Sequence, residues 1–245
     1  MPTALVTGAS KGIGRATALA LAEAGIDVAV NARDADGVEA TAQAVRERGR
    51  QSLALPGDMA VPADVHALTR SLIQAWKGVD VLVNNVGVTH SGSLSETTDE
   101  AWERLIHVNL RSMFLLTRDL SPYMIERRFG RIINISSMTA RLGRGFVGSA
   151  SYGASKGGVV SFTRGLAKEF GPYAITVNAV APGVILTDMN RDYMAEHGES
   201  VLQGIPLGRF GEPNDVTGII VFLASDAASY ITGTMIDVNG GLVFG

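Results

Sequence analysis

Tyr152 and Lys156 stand four residues apart, a spacing that puts both side chains on one face of a helix. A phenol titrates near pH ~10 and is a poor proton donor or acceptor at neutrality. An adjacent ammonium favours the phenolate and brings it toward a useful range; burial acts the other way. Such pairs also arise as a core tyrosine beside a surface lysine, so the pair needs company. Ile132-Ile133-Asn134-Ile135-Ser136-Ser137 reads as a strand ending in two hydroxyls, where a serine either orients a carbonyl oxygen or closes a turn. Asn109 falls on the apolar stripe of Trp102, Leu105, Ile106, Met113, Leu116 and Leu120. An unpaired amide there costs about 1–3 kcal/mol, so Asn109 is either a satisfied core asparagine or part of a proton-relay network. Gly153, Gly157 and Gly158, with Ala154 and Ser155, leave the helix beside Tyr152 nearly bare, open to a cofactor or to another helix.

A second constellation binds rather than reacts. Thr7-Gly8-Ala9-Ser10-Lys11-Gly12-Ile13-Gly14 joins the apolar run Ala4-Leu5-Val6 to a helical stretch from Arg15 to Gly25. Gly8 permits a tight turn, Gly12 lets an anion approach the backbone, and Gly14 lets the helix pack closely. The helix start offers free N–H donors and partial positive charge to a diphosphate. At the end of the second strand, Val28-Ala29-Val30-Asn31-Ala32-Arg33-Asp34 has Ala32 where an acid would read a 2′-hydroxyl, followed by Arg33. With Lys11 on the same side, this favours a 2′-phosphate; the competing reading pairs Arg33 with Asp34. Asp58 is placed to take an adenine amino group or simply to open a helix. Asn84-Asn85-Val86-Gly87 and Pro182-Gly183-Val184-Ile185-Leu186-Thr187 follow later strands and either touch a ribose and a carboxamide or serve as turns.

These residues need elements to carry them, and the chain supplies them in alternation. Strands are expected at 27–31, 52–55, 79–83, 131–135, 174–179 and 235–238 besides the first. Helices are expected at 34–48, 62–76, 98–126, 151–170 and 213–223. Alternating β and α with short connections gives a parallel sheet covered by helices on both faces, with ligands at the carboxyl ends of the strands. All the residues named above fall near those ends.

The 245 residues fit one doubly wound domain, 1–245. With 46% hydrophobic and 18% charged residues the chain is not disordered, and a net charge of −3 gives no footprint for nucleic acid or an anionic membrane. The absence of cysteine excludes thiolate chemistry and the common zinc sites, and His66, His90, His107 and His197 lack ligand spacing. With a strand almost at Met1 and no long apolar run, the expectation is a soluble cytoplasmic protein.

Taken in order, Thr7-Gly8-x-x-x-Gly12-x-Gly14, Asn84-Asn85-x-Gly87, Asn109, Ser137, Tyr152-x-x-x-Lys156 and Pro182-Gly183 resemble the short-chain dehydrogenases/reductases, nearest in look to the 3-oxoacyl-(acyl-carrier-protein) reductases. The resemblance implies a Rossmann-like α/β fold with seven parallel strands in the order 3-2-1-4-5-6-7, and a homotetramer. It implies NADP(H) in preference to NAD(H), and a ketone or acyl-thioester substrate reduced reversibly to a secondary alcohol. Small secondary alcohols, aromatic ketones, sugars and steroids are alternative substrates, and an NADPH-sensing regulator is the non-enzymatic alternative. By the same resemblance Tyr152 donates the proton, Lys156 lowers its pKa and holds the ribose, Ser137 orients the carbonyl, and Asn109 seats a water. Cofactor contacts fall to Gly8, Ser10, Lys11, Gly12, Ile13, Gly14, Arg33, Asp58, Met59, Asn85, Gly87, Tyr152, Lys156, Pro182, Gly183, Ile185 and Thr187. Three departures stand out: Val86 in place of Ala, a longer loop around Arg141 to Phe146, and Tyr173 where a second cation beside Arg127 and Arg128 is expected. A substrate lid is expected over 187–207, with Met189, Tyr193 and Met194. The apolar end Leu242-Val243-Phe244 is expected in a subunit contact.

Overall fold

Seven short apolar runs form the strands of one sheet: β1 (Thr3–Thr7), β2 (Asp27–Asn31), β3 (Ser52–Ala54), β4 (Val81–Asn84), β5 (Gly130–Ile135), β6 (Ile175–Pro182) and β7 (Met235–Val238). The computed structural model describes residues 1–145, 149–188 and 190–244, so Phe146 and Met189 lie outside the described residues. Strand order is β3-β2-β1-β4-β5-β6-β7, with every pairing parallel. This is the doubly wound, Rossmann-like arrangement that the motifs implied.

The helices are α1 (Gly12–Glu23), α2 (Ala35–Glu47), α3 (Pro62–Trp76), α4 (Asp99–Ile106), α5 (Ser112–Arg127), α6 (Thr139–Leu142), α7 (Ala150–Phe170), α8 (Arg191–Leu202) and α9 (Pro213–Ala224). Successive strand residues point to opposite faces, so Val81 and Val83 join the core under α1, α2 and α9. Leu82 between them joins the core under α3, α5 and α7. Burial on both faces explains why these strands read as continuous apolar runs. Among the described residues, no helix is long and apolar enough to cross a membrane.

Four differences from the sequence expectation bear on function. First, α1 starts at Gly12 rather than near Arg15, so Gly12, Ile13 and Gly14 form its first turn. Second, the expected helix over 98–126 is interrupted by a wide turn at His107–Arg111, where the Ser112 N–H reaches back to the His107 carbonyl. The Val108 carbonyl released there accepts a hydrogen bond from the Ser112 hydroxyl at 2.6 Å. Wide turns of this kind recur at functional sites, and Asn109 sits inside this one. Third, Trp102 is 43% exposed and does not belong to the buried stripe, whereas Leu105, Met113, Leu116 and Leu120 do. Fourth, the 187–207 stretch contains a three-turn helix, α8, that its polar sequence did not announce.

Candidate active site

Gly8 and Gly12 take positive φ, 65° and 56°, which only glycine adopts without strain. A Cβ on Gly14 would lie 2.2 Å from the Gly8 carbonyl oxygen and 2.6 Å from Asn85 Nδ2, so the close approach is to the turn itself. Thr7 Oγ1 accepts hydrogen bonds from the Asn85 and Val86 N–H groups, each at 3.0 Å, while Asn85 Nδ2 donates to the Thr7 carbonyl at 2.8 Å. The start of α1 has no side-chain cap and no acidic residue in its first turn. Its N–H donors are therefore left for an anion. This uncapped, positively polarised turn fits the diphosphate of a dinucleotide.

At the β2 end, Asn31 Nδ2 donates to the Leu55 carbonyl at 2.8 Å and the Gly57 carbonyl at 3.3 Å, tying the β2 and β3 ends together. Arg33 Nη1 lies 4.0 Å from Asp58 Oδ2, so its acidic neighbour is Asp58 rather than Asp34. Lys11 does not join Arg33. Its ammonium donates to Asp188 Oδ2 at 2.9 Å, and Arg191 donates to the other carboxylate oxygen at 2.9 Å. The Lys11 ammonium lowers the pKa of the Asp188 carboxyl, and Arg191 adds to the effect. Of the two cations expected at the 2′ position, Lys11 is taken by an acid after β6, and Arg33, 4.0 Å from Asp58, is the one left there.

Tyr152 and Lys156 sit near the start of α7, whose cap is Ser149; its hydroxyl accepts the Tyr152 N–H at 3.4 Å. Gly153 is required here, because a Cβ would come within 2.1 Å of the Gly143 carbonyl oxygen. Gly157 faces open space instead. Burial pushes the Tyr152 phenol above its ordinary value, partly offset by a hydrogen bond with Ser137. The Lys156 ammonium stands 6.0 Å from the Tyr152 ring centre and donates to the Ile135 carbonyl at 2.8 Å. Burial brings Lys156 down to about 8. The expected lowering of the phenol by this cation is not seen: burial raises the phenol, and Ser137 rather than Lys156 is the group that pulls it down. The two serines ending β5 divide their work. Ser136 donates to the Lys156 carbonyl at 3.0 Å and is buried, while Ser137 lines the cavity.

Asn109 is 1% exposed and fully engaged. Its Oδ1 accepts the Val88 N–H at 2.8 Å; its Nδ2 donates to the Val88 carbonyl at 2.9 Å and to Ser155 Oγ at 3.0 Å. Ser155 in turn donates to the Tyr152 carbonyl at 2.8 Å. A Cβ on Gly87 would sit 3.3 Å from Lys156 Nζ and 3.5 Å from Asn109 Oδ1, so the lysine and the amide border one small gap kept open by glycine. Asn84 points elsewhere, donating to Asn134 Oδ1, whose own amide donates to Thr163 on α7.

One cavity of about 710 Å³ gathers these groups at the carboxyl edge of the sheet, within the size range of small-molecule sites. Every residue expected to contact the cofactor lines it, and so does Ser137; Asn109 stands behind the wall. Arg104, Val108 and Thr89 also line it and were not singled out in the sequence. An arginine on an exposed helix carries no signal by itself. On the cavity wall and behind it, Val184, Met194, Val201 and Ile205 form a small core with Met138, and Leu242 and Val243 pack against it. Of the apolar end, Leu242 and Val243 are half-buried within the chain, and Phe244 is 85% exposed.

A family profile described as Enoyl-(Acyl carrier protein) reductase matches residues 8–243. A 3-oxoacyl-(acyl-carrier-protein) reductase from Synechocystis is 44% identical over 98% of this chain and 96% of its own. A 3-oxoacyl-(acyl-carrier-protein) reductase FabG from Staphylococcus aureus is 42% identical over 98% of this chain and 97% of its own. Among solved structures, one assigned as an NAD(P)-dependent gluconate 5-dehydrogenase from Beutenbergia cavernae, with bound NADP, superimposes with a TM-score of 0.93 at 37% identity, over 98% of this chain and 96% of that one. A blue fluorescent protein from a metagenomic library, in complex with NADPH, gives 0.92 at 38% identity, over 99% and 98%.

Proposed function

Because the chain belongs to the short-chain dehydrogenase/reductase family and is an NAD(P)-dependent oxidoreductase, we propose that it reduces a 3-oxoacyl-thioester-like ketone to a secondary alcohol with NADP(H). The observation that carries this reading is Tyr152, Ser137 and Lys156 on the wall of the same cavity as the uncapped α1 turn. The α1 turn, Arg33, Asn85 and the Pro182–Thr187 segment would hold the dinucleotide, which when bound would supply a hydride to the carbonyl carbon. Tyr152 gives its proton to the carbonyl oxygen as charge develops there. A phenol that keeps its proton at neutral pH suits that direction. Ser137, whose hydroxyl pulls the phenol's pKa down, orients the same oxygen. Lys156 donates one of its three protons to Ile135 and has two left for ribose hydroxyls. Asn109 works through others. By gripping both ends of the Val88 peptide and Ser155, it fixes the wall opposite Lys156.

The 3-oxoacyl assignment draws on the Synechocystis and Staphylococcus relatives, and the NADP(H) preference on Arg33 and the NADP-bound neighbours. A second reading, oxidation of a small polyol or hydroxy acid, is favoured by Tyr173 in place of a second docking cation and by the gluconate 5-dehydrogenase likeness. The single domain over 1–245, the lid over 187–207, a homotetramer using exposed Trp102 and Phe114, and a cytoplasmic location complete the proposal. Turnover assays with 3-oxoacyl thioesters, simple ketones and sugar acids, each with NADPH and NADH or their oxidised forms, test it. Thioester reduction with NADPH is expected; turnover confined to polyols or hydroxy acids selects the second reading, and none at all removes both.

A further inference from the structure

Five cations line the cavity, and four of them have partners. Lys11 and Arg191 share Asp188, Arg33 faces Asp58, and Lys156 donates to the Ile135 carbonyl. The side chain of the fifth, Arg104, makes no hydrogen bond and no ion pair among the described residues. Nor is an acid left over for it among the described residues that line the cavity. Of the lining acids, Asp58 and Asp188 belong to the pairs just named, and Asp34 opens α2 beside Gly37. Glu100, one turn before Arg104, owes its lowered pKa to Thr98 and its own backbone rather than to the arginine.

Position gives this free charge a meaning. Arg104 lies on α4 one turn before Val108, which also lines the cavity, and five residues before Asn109, which is tied to Ser155 beside Tyr152. Arg33, beside Asp58, marks the adenosine end. Beside Ser137 the wall carries the apolar side chains of Met138, Val184 and Met194. We propose that Arg104 recognises an anionic group on the substrate, so that the preferred ketone carries a negative charge as well as an apolar segment beside the reacting carbon. A guanidinium is suited to this, because its planar donors match carboxylate or phosphate oxygens. Two sources supply that chemistry: the carboxylate of a free oxo acid, or a phosphate on the carrier arm of an acyl thioester. The inference rests on the reductase reading and narrows its substrate class.

The test compares two matched pairs with NADPH: a 3-oxo acid against its methyl ester, and a coenzyme A thioester against the phosphate-free N-acetylcysteamine thioester. The wild-type chain is expected to favour the anionic member of at least one pair by about 10- to 100-fold in kcat/KM. Arg104→Ala should erase that advantage through KM while leaving the neutral member unchanged, and Arg104→Lys should restore part of it. The responding pair identifies carboxylate or phosphate. Arg104 has no partner to lose, so the alanine variant should fold normally, as a thermal melt will show. Fluorescence titration of the NADPH complex with the anionic ligands reads the same loss without turnover. The proposal fails if neither pair is discriminated, or if Arg104→Ala weakens both members alike. Turnover of the neutral ketones with no anion preference overturns this inference alone; no turnover of any ketone overturns the reductase reading.

Discussion

Replacing Asn109 by leucine keeps the number and branching of the side-chain heavy atoms and removes three hydrogen bonds. Ser155 keeps the bond it donates to Tyr152. The Val88 N–H and carbonyl lose their partners, bonds of 2.8 and 2.9 Å. A desolvated polar group left unpaired costs about 1–3 kcal/mol. Val88 is only half-buried and lines the cavity, so water can recover part of this, and about 2–4 kcal/mol remains for the two groups. For a chain of this size that lowers Tm by about 4–16 °C. Because Val88 follows Gly87, the spacer between Lys156 and the amide, kcat should fall as well, while the α1 turn and its affinity for NADPH stay intact. Differential scanning fluorimetry with and without NADPH, together with steady-state kinetics, measures all three. A variant melting within about 2 °C of wild type, or one that loses NADPH affinity in step with kcat, refutes the reasoning.

Arg33→Ala should weaken NADPH by about tenfold or more and NADH far less, since Lys11 is engaged by Asp188 and offers no replacement charge; isothermal titration with both cofactors checks this, and equal losses remove Arg33 from the role. Lys156 predicts a pH dependence of stability. Its pKa is about 8 in the folded chain against the ordinary value of 10.5, so between those values the unfolded state binds more protons. The cost of burying the charge is full below pH 8 and is relieved as pH rises, by about 2 kcal/mol between pH 8 and 10. Relative to Lys156→Met, the wild-type chain should therefore gain stability across that interval in urea titrations; a constant difference contradicts the shift.

The β/α alternation was legible because each buried strand is an uninterrupted apolar run and the helices begin or end at Pro or Gly, as at Pro62, Pro213 and Gly25. The cofactor residues were legible for a related reason: polar and glycine residues directly after such runs land at one edge of the sheet. What escaped was set by tertiary contact. The wide turn around Asn109 leaves the helical periodicity on either side intact, so nothing local marks it, although the buried amide flagged the spot. The α8 helix lacks a clear apolar stripe, because it packs through Met194 and Val201 onto a small core completed by Leu242 and Val243 from the far end of the chain. The commitment of Lys11 to Asp188 spans 177 residues and cannot be seen from the opening turn. The direction of the Tyr152 shift depended on burial, which spacing does not reveal.

The account stands most directly on proton transfer from Tyr152. In Tyr152→Phe, the rate of NADPH oxidation with the best ketone substrate should fall by about 10²- to 10⁴-fold, while the dissociation constant for NADPH stays within about threefold of wild type. Turnover retained within tenfold of wild type, with the cofactor bound, would contradict it.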